Sequence, residues 1–158
     1  MGWGIVFFMG IQEDIKQKRA FKNEYQKAIV NLLFTFGWLQ EKIRIAIEPF
    51  DITMQQYNVL RILRGSHPDP ISTQEIRKRM LDKMSDVSRI VDRLILKKLV
   101  VKRICADDKR LVDVTISDAG LALLVNMESY EVKMNAITHA ISEQEAAELN
   151  RILDKMRD

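Results

Sequence analysis

Side chains suited to binding a polyanion concentrate in one stretch of this sequence. Between residues 77 and 110, twelve basic residues stand against five acidic ones, a net charge of +7; the whole chain carries +3, so the remaining residues carry −4. A cationic segment between mildly acidic ends is typical of nucleic-acid binding. The alternative is a solvated helix face, and the placement of these side chains on helices and strands decides between the two.

Residues that could serve in catalysis or metal binding form no comparable cluster in the sequence. His67 and His139 stand far from each other, and neither has a cysteine or carboxylate at the spacing of a metal site or a catalytic triad. The sequence has no phosphate-binding glycine loop and no paired carboxylates in an apolar setting. We therefore expect a protein that is not an enzyme and has no cofactor.

The composition favours a reducing compartment. Cys105 is the only cysteine, which excludes an intrachain disulfide. The first eleven residues are apolar, but they are too short to span a bilayer and lack the basic flank and cleavage site of a signal peptide. We expect a cytoplasmic protein without membrane contact, in which residues 1–11 pack on the protein or on a partner subunit.

The apolar spacing predicts the elements that position the basic residues. Apolar residues recur at steps of three and four from Gln12 to Phe50, which predicts one long amphipathic helix. A helix of this length exceeds what so small a domain can cover, so we expect part of its apolar face to contact a second subunit.

Two shorter helices follow, and each opens on a capping-box sequence, at residues 53–56 and 72–75. A third helix, which starts near Asp82 or Ser85 and covers about 83–98, has an aliphatic inner face and a polar, basic outer face. Two short helices joined by a tight turn, the second basic outside, are typical of a helix-turn-helix. β-rich segments at 99–104 and 111–116 then predict a hairpin. Ser117 caps a helix over 118–140, and a third capping-box sequence at residues 142–145 opens the last helix, over 142–157.

This order of elements resembles the MarR family of bacterial transcriptional regulators. Asp108-Lys109-Arg110, followed by Val114, Ile116 and Ser117, is similar to the family's wing signature, and residues 87–94 are similar to its recognition helix. The resemblance covers roughly residues 20–155. It implies a mainly α winged helix-turn-helix with a small β-hairpin wing in a single domain over 1–158, where 53–117 form the DNA-binding lobe and 12–50 and 118–158 are dimerisation helices.

The sequence departs from the family pattern at three positions. Lys98 stands where the family usually has a helix-ending glycine, so either this lysine adopts the left-handed conformation or the helix exit differs. Ser117 replaces the usual threonine, which keeps a capping hydroxyl. Lys102 stands where arginine is common, which keeps the charge but removes bidentate geometry.

The expected DNA site combines the outer face of the third helix with the hairpin. Arg89 is the candidate base contact, because its guanidinium can pair with guanine O6 and N7; bonding to a phosphate or to Asp86 is the alternative. Arg110 at the hairpin tip is expected in the minor groove, with Asp108 as the brace that orients it. Further contacts are expected from Thr73, Gln74, Ser85, Ser88, Arg93, Lys102 and Lys109, whereas Arg77, Lys78 and Arg79 are either contacts or solvated.

The predicted function is a sequence-specific repressor that acts as a homodimer on a palindromic operator of double-stranded DNA. The resemblance also implies a small aromatic or phenolic effector, with Tyr25, Phe36, Trp38 and Tyr57 as candidate pocket residues; core packing is the alternative for these four. Two other functions stay open. One is a redox-responsive regulator, because Lys102 and Arg103 would favour the thiolate of Cys105, and the other is a helical protein–protein adaptor without DNA binding.

Overall fold

The computed structural model of this protein describes residues 10–104, 112–127 and 140–158. The predictions for Cys105, Asp108, Lys109, Arg110 and His139 therefore lie outside the described residues. The chain divides into two compact units, one up to Lys42 and one from Ile43 onward. The single domain over 1–158 stays a prediction.

The N-terminal unit contains a short helix α1 (Ile11–Asp14) and most of a long helix α2 (Glu24–Ile47), which a 3-10 turn (Glu48–Phe50) extends. The prediction of one helix from Gln12 to Phe50 was wrong. Lys16 adopts a left-handed φ of 51°, and Asn23 starts α2 by accepting a hydrogen bond from the Gln26 amide at 2.9 Å. Residues 16–20 include no large apolar side chain, so no buried face holds a helix there.

Most large apolar side chains of α2 are exposed. Only Ile43 and Ile47 of this helix are buried. We call the exposed set the α2 apolar surface; it comprises Tyr25, Ile29, Leu32, Leu33, Phe34, Phe36, Trp38 and Ile45.

The second unit contains the remaining elements, most of which contribute buried side chains to one apolar core. They are α3 (Met54–Ser66), β1 (Ile71–Ser72), α4 (Thr73–Arg79), α5 (Val87–Leu96), β2 (Val100–Ile104), β3 (Val112–Ile116), α6 (Asp118–Asn126) and α7 (Glu143–Lys155). Helix α3 is central, because it contacts α4, α5, α6 and β3. Its Leu60 and Leu63 are buried together with Ile76 of α4 and Leu94 of α5, and each such side chain contributes about 1.5–3 kcal/mol of burial free energy.

The three strands form an antiparallel sheet in the order β1-β3-β2. Val100 of β2 pairs with Ile116 of β3, and Ile71 of β1 pairs with Val114. The predicted hairpin strands and the mainly helical fold class are confirmed. Strand β1 was not predicted, because two residues are too few to show a period of two.

Two of the three predicted capping boxes are complete. The Gln56 backbone amide donates to Thr53 Oγ1 at 3.2 Å, and Gln56 Oε1 accepts from the Thr53 backbone amide at 3.0 Å. Ser142 and Glu145 form the same reciprocal pair. At α4 only half of the box forms. Ser72 accepts from the Glu75 amide, whereas the Glu75 carboxylate accepts from Arg79 Nε at 2.9 Å, which lowers the pKa of that carboxyl.

Helix α5 ends in a left-handed turn built on a lysine. Lys98 has a φ of 60°. Its amide donates to the Ile95 carbonyl at 2.8 Å, and the Leu99 amide donates to the Leu94 carbonyl at 3.0 Å. This is the bonding pattern of a Schellman motif, so the first of the two outcomes expected at Lys98 is the one observed.

The start of α6 is bonded to this turn. Ser117 donates its hydroxyl to the Lys98 carbonyl at 2.8 Å and its amide to the Leu99 carbonyl at 3.1 Å. The same hydroxyl accepts from the Gly120 amide at 3.1 Å, which confirms the predicted cap. A Cβ on Gly120 would collide with the Leu99 carbonyl oxygen and lie 2.7 Å from Ile116 Cγ1, so this position requires glycine.

Candidate nucleic-acid interface

Helix α5 begins later than predicted. Its N-cap is Asp86, whose Oδ1 accepts from the Arg89 amide at 3.1 Å; the expected start was near residue 82 or 85. Ser85 therefore lies in the turn between α4 and α5 and not on the helix. Its hydroxyl donates to Asp82 Oδ2 at 2.9 Å, and the Met84 amide donates to Asp82 Oδ1 at 3.0 Å. The Asp82 carboxylate thus orders this turn, a role that sequence reasoning missed.

The two faces of α5 differ as predicted. Val87, Val91 and Leu94 are buried, which fixes the helix against the core and turns the opposite face outward. Ser88, Arg89 and Arg93 are exposed on that face. Within the described parts of the chain, neither guanidinium takes part in a hydrogen bond or an ion pair. Only the backbone amide of Arg89 bonds to Asp86, so both charged groups are accessible to an external anion.

Several of the other basic residues are already engaged. Glu75 pairs with Lys78 at 3.5 Å and with Arg79 at 2.9 Å. Lys97 pairs with Asp51 at 2.6 Å, across 46 residues of sequence. Exposed pairs of this kind contribute little to stability, but each carboxylate offsets positive charge that would otherwise face a polyanion.

An ion pair connects α5 with the first hairpin strand. Lys102 Nζ on β2 lies 3.4 Å from Asp92 Oδ1 on α5, and both side chains are exposed. The structure therefore places the predicted contact Lys102 beside the outward face of α5. Lys109, Arg110 and Asp108 lie outside the described residues, so their predicted roles remain predictions.

A groove beside α5 brings in the start of α3. It has a volume of about 270 Å³, and its lining includes Thr53, Gln55 and Asp82 together with Arg89 and Arg93. Sequence reasoning did not place Gln55 near the interface, although its position two residues after a helix cap shows that it lies at a helix start. The other predicted contacts, Thr73 and Gln74, occupy the first turn of α4, where Gln74 is exposed.

The candidate effector residues lie mainly on open surface. Tyr25 is 84% exposed, and Phe36 and Trp38 are exposed as well. Lys42 Nζ lies 5.9 Å from the centroid of the Trp38 ring. Tyr57 is half-buried on α3, and its hydroxyl accepts from Arg61 Nη1 at 2.9 Å. An effector pocket built on these side chains stays a prediction.

The described residues include neither a membrane-spanning helix nor a cluster of metal ligands. None of the helices in these ranges is long and apolar enough to cross a membrane. No three His, Cys, Asp or Glu side chains in the same ranges come together as metal ligands would.

The chain matches known proteins over the elements that carry this interface. A model of the MarR family matches residues 50–111, a segment that contains α3, α4, α5 and β2. The chain is also 31% identical over 98 residues to YhbI of Bacillus subtilis, an uncharacterised HTH-type transcriptional regulator; the match covers 61% of this chain. The chain spans only 62% of the length of this relative.

Solved structures extend the likeness over most of the chain. A MarR transcription factor from Planctomyces limnophilus is 29% identical with a TM-score of 0.67, over 87% of this chain and 98% of that one. A MarR variant from E. coli, solved in complex with operator DNA, has a TM-score of 0.77 at 23% identity, over 87% of this chain and 99% of that one. The second likeness is one of fold alone.

Proposed function

We propose that this chain, which belongs to the MarR family of winged helix-turn-helix transcriptional regulators, binds double-stranded DNA sequence-specifically as a homodimer and represses transcription. The family consists of regulators and not of enzymes, so the expected activity is recognition without chemistry. The observation that carries the proposal is the exposed outer face of α5, where the guanidinium groups of Arg89 and Arg93 have no partner within the described residues.

The geometry of α5 supports recognition in the major groove. A helix fits this groove, and each base pair presents a distinguishable pattern of donors and acceptors there. We expect Arg89, in the first turn of α5, to bond a guanine at O6 and N7. We expect Lys102 of β2 to contact a phosphate, which would replace its exposed ion pair with Asp92. Each neutralised phosphate releases counterions, so the affinity should fall steeply with salt.

The proposed homodimer follows from the short stretch of DNA that one recognition helix can contact. A single recognition helix reads only a few base pairs, so useful specificity requires two copies about one helical turn apart on a palindrome. The α2 apolar surface supports self-association, because monomeric proteins rarely leave so many large apolar side chains together on one exposed helix. Independently, helix α7 of the second unit exposes Leu149 and Ile152.

The proposal includes control by a small aromatic or phenolic effector. Its support is the family resemblance, and the aromatic side chains Tyr25, Phe36 and Trp38 are accessible to such a ligand on α2. Binding of the effector would lower the affinity for DNA only to the extent that it binds the free and DNA-bound conformations differently.

Anisotropy titration of a labelled duplex tests the DNA-binding proposal, with an operator footprinted in the region upstream of the protein's own coding sequence. Arg89→Ala should weaken binding by about 1–3 kcal/mol, the value of a lost bidentate base contact. The matched control is Arg79→Ala, because Arg79 already bonds Glu75 and Ser66; its effect should be clearly smaller. Unchanged affinity of Arg89→Ala at two salt concentrations would remove Arg89 from the interface.

A further inference from the structure

The turn between α4 and α5 exposes two large apolar side chains. Leu81 is 75% exposed and Met84 is 93% exposed, although both lie next to a helix-turn-helix core. A single exposed apolar residue is ordinary on a protein surface. Met84 differs because its backbone is fixed and its neighbours are charged.

Hydrogen bonds hold this turn in one conformation. The Leu81 amide donates to Asn58 Oδ1 of α3 at 2.9 Å. The Met84 amide donates to Asp82 Oδ1 at 3.0 Å, and the Ser85 amide donates to the Asp82 carbonyl at 3.3 Å. The Met84 side chain therefore projects from a backbone that is fixed relative to α5, so a contact through it would need little ordering of the main chain.

The surroundings of Met84 restrict what can cover it. Lys83 precedes Met84 in the sequence and donates its ammonium to the Lys78 carbonyl. The Asp82 carboxylate is occupied by the Met84 amide and the Ser85 hydroxyl. Arg89 follows five residues later in the sequence, with a guanidinium that no described residue engages. A surface that covers both Met84 and Arg89 must offer an apolar group next to negative charge or hydrogen-bond acceptors. The major groove of DNA meets this description, because the C5-methyl of thymine lies there among base acceptors and between phosphate strands.

We propose that Met84 is a specificity-determining residue that contacts the methyl group of a thymine at the edge of the base pairs read by α5. This inference rests on the proposed DNA binding. Met84 lies two residues before Asp86, the N-cap of α5. Residues at the N-terminal end of a recognition helix approach the base edges. The thioether is flexible and polarisable, so it can follow the position of a methyl group.

The test removes the methyl group from the DNA and the thioether from the protein. The probe is a duplex that the wild-type protein selects from a randomised pool, with each thymine replaced in turn by deoxyuridine. At one position in each half-site, the wild-type protein should lose about three- to fivefold in affinity, the value of one buried methyl group. Met84→Ala should bind the thymine duplex more weakly and show no loss at that position.

Leu96→Ala is the matched control. Leu96 is 81% exposed near the other end of α5, so its truncation should leave the uracil effect of the wild-type protein intact. Since Met84 is exposed, thermal unfolding should show that Met84→Ala folds as the wild-type chain does.

Each failure has a distinct meaning. Selection of a defined sequence without any uracil effect, or equal uracil effects in the wild type and Met84→Ala, would overturn the role of Met84 and leave the DNA-binding proposal standing. If the wild-type protein enriches no sequence from the pool, both the proposed function and this inference are wrong.

Discussion

At the scale of single residues, Gly120 shows how one contact restricts a position to one amino acid. A methyl group there would collide with the Leu99 carbonyl oxygen and with Ile116. Since a backbone oxygen cannot rotate away, Gly120→Ala should lower the free energy of unfolding by about 2–3 kcal/mol, measured by urea denaturation monitored by circular dichroism.

Gly65→Ala provides the control for this prediction. Gly65 lies in α3, and a Cβ there would have no neighbour within 4 Å. Alanine is the better helix former, so this variant should be neutral or more stable by up to about 1 kcal/mol. Equal urea midpoints for the two variants would contradict the close approach at Gly120.

Residue-level predictions succeeded where a local rule decides the outcome. The apolar period of α5 predicts that Arg89 and Arg93 face outward. At Lys98 the sequence predicts either a left-handed lysine or a different helix exit, and the positive φ of Lys98 shows the first. Ion pairs between distant residues were not predictable. Lys97 meets Asp51 across 46 residues, an approach that only the packed core determines.

At the scale of elements, the exit of α5 carries a conformational cost. Lys98 holds a left-handed conformation that costs a residue with a Cβ about 1–2 kcal/mol. Glycine avoids this cost but loses more entropy on folding. Lys98→Gly should therefore raise the free energy of unfolding by about 0.5–1 kcal/mol in urea denaturation, whereas Lys98→Ala should not stabilise the protein. A destabilised Lys98→Gly would mean that the lysine side chain contributes more than its backbone costs.

Element boundaries were predicted unevenly. Caps located the starts of α3, α4 and α7 because each cap is followed by a matching residue three positions later. The start of α5 was misplaced because Asp82, Ser85 and Asp86 are all good N-cap residues within five positions. Only the packing of the turn selects Asp86.

At the scale of the whole molecule, the α2 apolar surface predicts self-association. Sedimentation equilibrium should show a dimer at micromolar concentration. Leu33→Glu should raise the dissociation constant of the dimer at least about tenfold, because Leu33 is 66% exposed in one chain and a carboxylate buried in an apolar interface is costly. Gln40→Glu, an equally charged change at an exposed position of α2, is the control. A wild-type monomer at these concentrations would exclude the dimer.

The joint between α5 and α6 has a mechanical consequence. Ser117 bonds to the Lys98 and Leu99 carbonyls, and Gly120 lies directly against Leu99, so the first turn of α6 is fixed against the turn that ends α5. We therefore expect a displacement of the first turn of α6 to reach the C-terminal end of α5 through these contacts.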